Sequence, residues 1–260
     1  MKKTAVITGF ISVVALIAPF NLFADEAEEA VAPPPLSDVW IVIPKTGMEG
    51  EFQAAVAAEA KARTKLGDTY GWQAYTVVIG HKLNAVQFRA CCYNWADLDA
   101  YEAEGDEKGY NDYWNENVDQ YVDHMHRYLE YTDWENSNWS EGENDGPYFG
   151  VTSWTVKQGA GPASGAARKK MSQVAIDEGW ESHWLWLSRI GGKPMTAVVS
   201  SFESYADMAP PEQNFFEFMI EKLGAEEAGA MFADFGSGYS GSDYTVWKLN
   251  PEMSDPADDE

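Results

Sequence analysis

Short apolar runs and amphipathic stretches follow one another along the chain in an order that occurs twice. Runs rich in β-branched and aromatic residues and bounded by turn residues predict strands, and apolar residues spaced three or four apart predict helices. The first half is predicted to hold strands at 39–43, 72–79, 85–92 and 127–134 and helices at 51–66, 95–104 and 110–125. The second half is predicted to hold strands at 148–156, 180–190, 195–202 and 244–249 and helices at 163–177, 213–223 and 226–235.

The two halves have the pattern of two copies of one unit. Trp72 and Trp180 occupy corresponding places, each after a glycine-containing turn, and stand 108 residues apart. Each half follows the order strand–helix–strand–strand–helix–strand, which is the ferredoxin-like arrangement. The predicted fold class is therefore α+β, with tandem ferredoxin-like repeats at 37–136 and 147–252 joined by an acidic linker at 137–146.

The two ends of the chain lack this pattern. Residues 1–24 combine two lysines, an apolar run and a final small residue before an acidic segment, which predicts a secretory signal peptide. Residues 25–36 form a predicted acidic and Pro-rich spacer, and 253–260 an acidic tail. No later run reaches the length of a membrane-spanning helix. We therefore expect a bacterial protein that is periplasmic or secreted, with no membrane association after cleavage.

The net charge of the chain limits the kinds of molecule that it is expected to bind. Asp and Glu number 42 and Lys and Arg 18, which gives a formal charge of −24. Nucleic-acid binding depends on clustered Lys and Arg, so no nucleic-acid partner is expected. The 45% of hydrophobic residues, which include 11 Trp, are enough for a packed core and exclude wholesale disorder.

The two cysteines, Cys91 and Cys92, are neighbours, so neither has a distant partner and a disulfide-stapled fold is excluded. Neighbouring side chains of a strand point to opposite faces, and a vicinal disulfide would require a distorted backbone. We expect two strand residues, at least one of them buried. A redox-active pair is the alternative.

A ferredoxin-like sheet covers one face with its own helices, so a second apolar face needs another sheet. Along 85–92 the even-numbered residues are apolar and are predicted to face the helices. Gln87 and Arg89 would then face the partner sheet as convergent polar groups.

The strand predicted at 180–190 alternates between tryptophans and aliphatic residues. If Leu185 and Leu187 pack on the helices, Trp184 and Trp186 point into the space between the sheets. His183 lies beside these tryptophans and is the histidine best placed for a role in a site.

None of the four histidines stands out as a metal or haem ligand by spacing. His81 is predicted to be exposed in a turn, and His124 and His126 to end a helix whose C-terminus favours positive charge. A haem would need one axial His, so haem is left open and the cofactor is unknown. The sequence contains no zinc motif, phosphate loop or nucleophile elbow, and no metal site is predicted.

The order of elements, and the aromatic-led helix openings at 93–98 and 202–205, resemble the dimeric α/β-barrel superfamily. This group includes antibiotic-biosynthesis-type monooxygenases, NIPSNAP and EthD-like proteins, and chlorite dismutases. The resemblance implies two four-stranded sheets that face each other around a pocket. Two copies on one chain would pair as an intramolecular pseudo-dimer, with further oligomerisation unknown. Members include cofactor-free oxygenases, haem enzymes and binding proteins, so the fold does not select a function.

The sequence thus favours a protein that binds a small apolar or planar ligand in an aromatic-lined pocket inside the barrel. Its candidate ligand-binding residues are Gln87, Arg89, His183, Trp184 and Trp186. The first alternative is an enzyme of the cofactor-free or haem-dependent oxygenase kind. It would need a polar group inside the barrel or an axial ligand, for which Arg89 and His183 are the candidates, and its catalytic residues are otherwise unknown. The second alternative is a structural or stress-related protein without a ligand.

Overall fold

The computed structural model describes residues 33–139 and 146–255. The predicted signal peptide, most of the spacer and parts of the acidic linker and tail lie outside the described residues. Within the described chain, no helix is both long enough and apolar enough to cross a membrane.

Strands and helices follow in nearly the predicted order. The strands are β1 (Leu36–Pro44), β2 (Gln73–Ile79), β3 (Val86–Tyr93), β4 (Val122–Thr132), β5 (Tyr148–Val156), β6 (Leu185–Ile190), β7 (Met195–Phe202) and β8 (Tyr239–Leu249). The helices are α1 (Glu49–Leu66), α2 (Trp95–Lys108), α3 (Gly161–Asp177), α4 (Phe215–Leu223) and α5 (Ala225–Ser237).

The eight strands close into one barrel in the order β1-β3-β2-β8-β5-β7-β6-β4. Every neighbouring pair is antiparallel. The four strands of the first half are therefore adjacent, as are the four of the second, and the halves meet at β2–β8 and β4–β6. The α+β class and the barrel are confirmed. Closure removes the exposed sheet edges that an open eight-stranded sheet would present.

Helix α2 illustrates how local sequence sets an element's bounds. Asn94 precedes it with extended backbone, and the Asn94 amide donates to the Asp97 carboxylate at 2.6 Å in a capping box. This arrangement satisfies amide groups that the first turn leaves unpaired. Gly109 ends the helix in the left-handed conformation at φ 70°, which glycine adopts without steric cost.

Apolar side chains pack on both faces of the barrel wall. On the outer face, Phe52 and Val56 of α1 pack against Phe88 of β3 in the first half. The inner face carries two clusters without helical residues, one around Leu185 and Leu187 and one around Ile43 and Val77. The expectation that both faces of each half are covered is therefore confirmed.

The helix predicted at 110–125 is correct over 112–121, where the backbone is helical, and wrong over its last four residues. Residues Trp114–Val118 form one turn of π-helix and Asp119–Tyr121 one 3₁₀ turn, after which β4 begins at Val122. His124 and His126 therefore lie on a strand, paired with Ile43 and Ile41 of β1, and do not cap a helix. The strand predicted at 180–190 is also too long, since β6 begins only at Leu185.

Cys91 and Cys92 are joined to each other in a disulfide across a cis peptide bond. The expectation of two unlinked strand residues is wrong, and both side chains are half-buried. The absence of a long-range disulfide agrees with the prediction, since the described chain has no free cysteine.

A row of polar side chains crosses the inside of the barrel. In the strand register Cys91 stands opposite Ser37, Ser37 opposite Glu130, and Glu130 opposite Arg189. Burial raises the pKa of Glu130, against the opposing effect of the Arg89 and Arg189 charges. A buried carboxyl is thus held between two guanidinium groups of different strands.

Candidate functional site

A cavity of about 440 Å³ lies between the outer face of the first-half sheet and helices α1 and α2. Strands β1, β3 and β4 form its floor, and residues of both helices form its walls. It exists because α2 stands away from the sheet. Gly105 is the one buried residue of that helix, so no large side chain of α2 fills the space below.

Aromatic rings make up a third of the cavity's lining. The seven are Trp40, Tyr70, Trp72, Phe88, Tyr101, Tyr110 and Trp114. Phe88 is central, because Trp72 and Trp114 each meet its ring edge-on at 6.3 and 6.1 Å. Edge-to-face contacts of this kind hold rings in fixed orientations. The part of the floor around Phe88 is therefore apolar, with its rings held in fixed orientations.

Arg63 of α1 organises one wall. Its Nε donates to Glu59 at 2.6 Å, and its Nη1 donates to Asp68 at 3.0 Å and to the Tyr101 hydroxyl at 2.7 Å. The guanidinium also lies 5.3 Å from the Trp72 ring centre, a cation–π distance. One side chain thus ties α1 to α2 and to the sheet.

Asp38 of β1 organises the opposite wall. Its carboxylate is only 3% exposed and accepts from Nε of Arg127 at 3.0 Å and from Nη2 at 2.9 Å. The Tyr70 hydroxyl donates to the same carboxylate at 2.7 Å. Charge-assisted, forked pairs of this kind are among the stronger hydrogen-bonded contacts in proteins. Arg127 in turn lies 5.2 Å from the ring of Trp40.

Four tyrosines stack in a column beside the cavity. The ring centres of Tyr93 and Tyr70 are 4.7 Å apart, those of Tyr70 and Tyr101 3.8 Å, and those of Tyr101 and Tyr110 5.7 Å. Burial raises the pKa of Tyr70, Tyr93 and Tyr101, and the Asp38 charge raises that of Tyr70 further. These hydroxyls are therefore neutral donors at physiological pH.

Glu59 is the most deeply buried acid of the cavity wall. Its side chain is 1% exposed, and its Oε2 has no hydrogen-bond partner among the described residues. Burial raises the pKa of Glu59, and the hydrogen bond and charge of Arg63 oppose that rise. The group keeps one carboxyl oxygen for a further donor.

The second half fills the corresponding space with side chains. Beneath α3, α4 and α5, the rings of Trp154, Trp186, Phe235 and Tyr239 contact one another at 4.9 to 6.0 Å. Met219 and Met231 complete this cluster. The outer face of the barrel is therefore open to a ligand in the first half and packed in the second.

Trp184 and Trp186 do not point into the barrel, which corrects the predicted facing. Both belong to the cluster beneath the helices, and the Trp186 indole donates to the Ser172 hydroxyl of α3 at 2.9 Å. Leu185 and Leu187 occupy the inner face instead. The alternation was identified correctly, but the aliphatic residues fill the narrow interior and the larger rings lie under the helices.

The other three candidate residues also lie away from the cavity. Gln87 and Arg89 alternate with Val86 and Phe88 of the helix side and so lie on the inner face, as expected. His183 precedes β6 and does not lie within a strand; its Nδ1 is 3.2 Å from the Asn138 carbonyl oxygen. A role in ligand binding for these three residues remains a prediction.

Sequence reasoning placed the aromatic-lined pocket inside the barrel, whereas the cavity lies outside it. Aromatic residues in the predicted first-half strands, Trp40 and Trp72 among them, were the available signal. Asp38 gave none, because β1 and α1 bring it into one cavity with Glu59 and Arg63 only in the fold.

In the described parts of the chain, no three His, Cys, Asp or Glu side chains are grouped so that they could hold a metal ion. No protein-family profile and no curated protein matches the sequence.

Solved structures do match the fold. A proposed monooxygenase from Lactobacillus acidophilus aligns with a TM-score of 0.50 at 8% identity, over 85% of this chain and 98% of its own. A proposed monooxygenase from Fusobacterium nucleatum aligns with a TM-score of 0.50 at 11% identity, over 84% and 94%. At these identities the likeness concerns the fold alone. The fold-level resemblance to dimeric α/β-barrel proteins is confirmed.

Proposed function

We propose that the protein binds a small planar organic ligand in the cavity between α1, α2 and the sheet. The observation that carries this proposal is the contrast between the halves, since the first keeps open a space that the second fills. A volume of about 440 Å³ falls within the range of roughly 300–1,000 Å³ typical of small-molecule sites. Its aromatic lining and a few fixed polar groups also agree with that class.

A titration with acridine, a neutral planar three-ring probe, tests the proposal. We expect one acridine per chain by calorimetry. Leu98→Trp places a ring in the cavity wall and should weaken binding at least about tenfold, equivalent to about 1.4 kcal/mol. Ala103→Trp adds the same ring on the exposed side of α2 and should change affinity less than about threefold, since surface changes cost little.

Two results would contradict this placement of the ligand. One is an equal loss of acridine affinity in Leu98→Trp and Ala103→Trp, which would mean that any added ring on α2 disturbs binding. The other is full-strength binding to Leu98→Trp, which would place the probe elsewhere.

The residues of the cavity do not fit a haem held by histidine. None of His81, His124, His126 and His183 lines it, and an axial imidazole is the expected ligand among the histidine-ligated haem proteins. The cofactor-free oxygenase remains the alternative function. One residue favours it, because Glu59 places a carboxyl in the cavity wall, where a base would be required.

We also propose that the barrel is made of two fused ferredoxin-like repeats, at 37–136 and 147–252. The identical strand orders β4-β1-β3-β2 and β8-β5-β7-β6 support this. The basic, apolar and small-residue pattern of 1–24 supports export of the mature chain to the periplasm or the medium.

A further inference from the structure

Negative charge exceeds positive charge around the cavity. Its lining includes the two guanidinium groups of Arg63 and Arg127 and five carboxylates, those of Asp38, Glu59, Glu102, Asp106 and Asp119. The whole chain carries a formal charge of −24, which adds to the negative potential at the cavity. A cleft lined with one sign of charge concentrates ligands of the opposite sign.

Both guanidinium groups are already engaged by carboxylates. Arg127 is held by Asp38 through Nε and Nη2. Arg63 is held by Glu59 and Asp68, and it donates further to Asn111 at 3.0 Å. Both positive charges that line the cavity are therefore paired with carboxylates of the protein. An anionic ligand would meet no unpaired cation there.

Glu59 supplies the second observation that indicates a positively charged ligand. It is 1% exposed, it lines the cavity, and its Oε1 accepts from Arg63 while its Oε2 has no partner among the described residues. A buried carboxylate with an unpaired oxygen carries a desolvation cost, and a positive charge in the cavity beside it would offset part of that cost. Aromatic faces nearby, among them that of Trp114, can also stabilise a cation through their π-electrons.

We infer that the cavity selects planar organic cations, such as N-alkylated or protonated heteroaromatic rings and aromatic amines, over neutral or anionic molecules of the same shape. This inference rests on the proposed function, and it adds the chemical class of the ligand. Glu59 supplies negative charge at the inner end, and the carboxylates of Glu102 and Asp106 on α2 attract the cation at the rim.

Three probes of one shape test the inference: N-methylacridinium, acridine and acridine-9-carboxylate, at a mildly alkaline pH where acridine itself is neutral. We expect N-methylacridinium to bind at least about tenfold more tightly than acridine-9-carboxylate, from cation–π attraction and the negative lining. Added salt should narrow this ratio, since screening weakens the charge contribution.

The variant Glu59→Gln keeps the shape of the side chain and an oxygen for Arg63 but removes the charge. It should lower the affinity ratio of N-methylacridinium to acridine about tenfold, since a lost charged contact is worth about that factor. Should that variant fail to fold, the double variant Glu102→Gln/Asp106→Asn changes two exposed positions of α2. It should lower the same ratio about two- to threefold, as expected for screened surface charges.

The outcomes separate the inference from the proposed function. Equal binding of the three probes, tighter binding of the carboxylate, or a ratio that neither variant changes would overturn the cation preference and leave the cavity as a ligand site. Failure of all three probes to bind would overturn both. Tighter binding of N-methylacridinium that weakens in the Glu59 or the Glu102/Asp106 variant supports both the cation preference and the proposed function.

Discussion

Replacing Arg63 with alanine is expected to lower the free energy of unfolding by about 3–5 kcal/mol, the usual cost of breaking a buried ion pair. The side chain is 12% exposed and the carboxylates that it neutralises, Glu59 and Asp68, are almost fully buried. Its removal leaves both acids without their counter-charge and unties α1 from Tyr101 of α2. Urea unfolding followed by circular dichroism measures the loss.

Lys65→Ala is the matched control for Arg63→Ala. It removes a basic residue from the last turn of the same helix at an exposed position, and it should change stability by no more than about 0.5 kcal/mol. A loss below about 1 kcal/mol for Arg63→Ala would mean that the network contributes no more than an ordinary surface pair.

Replacing Trp186 with alanine is expected to cost about 3–5 kcal/mol, as for other large-to-small changes in a packed core. The ring is 7% exposed, contacts Trp154 and Phe235, and donates from its indole to Ser172. Because it lies beneath α3 and α5, the affinity for a planar probe should stay within about threefold of the original value. Thermal unfolding and the acridine titration measure the two effects.

Trp95→Ala provides the comparison for Trp186→Ala. Trp95 is 60% exposed, and its loss should cost less than about 1 kcal/mol. If Trp186→Ala instead abolished probe binding with little loss of stability, Trp186 would belong to a ligand site, as the sequence pattern first suggested.

Much of the fold could be predicted because hydrophobic periodicity and the repeat agreed with each other. Strands β5 and β7 have the predicted bounds, and Trp72 and Trp180 occupy equivalent places before hairpins. The helix predicted at 110–125 extends too far, because Val122 and Met125 continue the helical spacing of Val118. The strand that begins at Val122 is fixed by pairing with β1, a long-range contact that local pattern does not contain.

Alternation alone could not decide which side chains of β6 face the inside of the barrel, because both alternating sets are apolar. A period of two separates Trp184 and Trp186 from Leu185 and Leu187, but it does not say which set is inside. The interior holds Leu185 and Leu187 together with larger rings such as Phe149, so side-chain size alone does not decide the facing. The tryptophans bury more area beneath three helices.

The cavity was beyond sequence reasoning for a different reason. It depends on what α2 does not fill, and Gly105 is the one residue of that helix that becomes buried. Its charged groups come from β1, β4 and both helices, so their meeting depends on how α1 and α2 pack on the sheet. The sequence signal for it was limited to aromatic residues of the predicted first-half strands, among them Trp40 and Trp72.

Fluorine NMR of protein labelled with 5-fluorotryptophan, with and without the planar probe, tests the central claim most directly. The tryptophans of the cavity and those of the packed second-half cluster serve as controls for each other. Their resonances are assigned by single Trp→Phe changes. The account predicts that saturation with the probe shifts the signals of Trp40, Trp72 and Trp114 and leaves those of Trp154 and Trp186 in place. Shifts confined to the second group, or saturable binding that shifts neither, would contradict it.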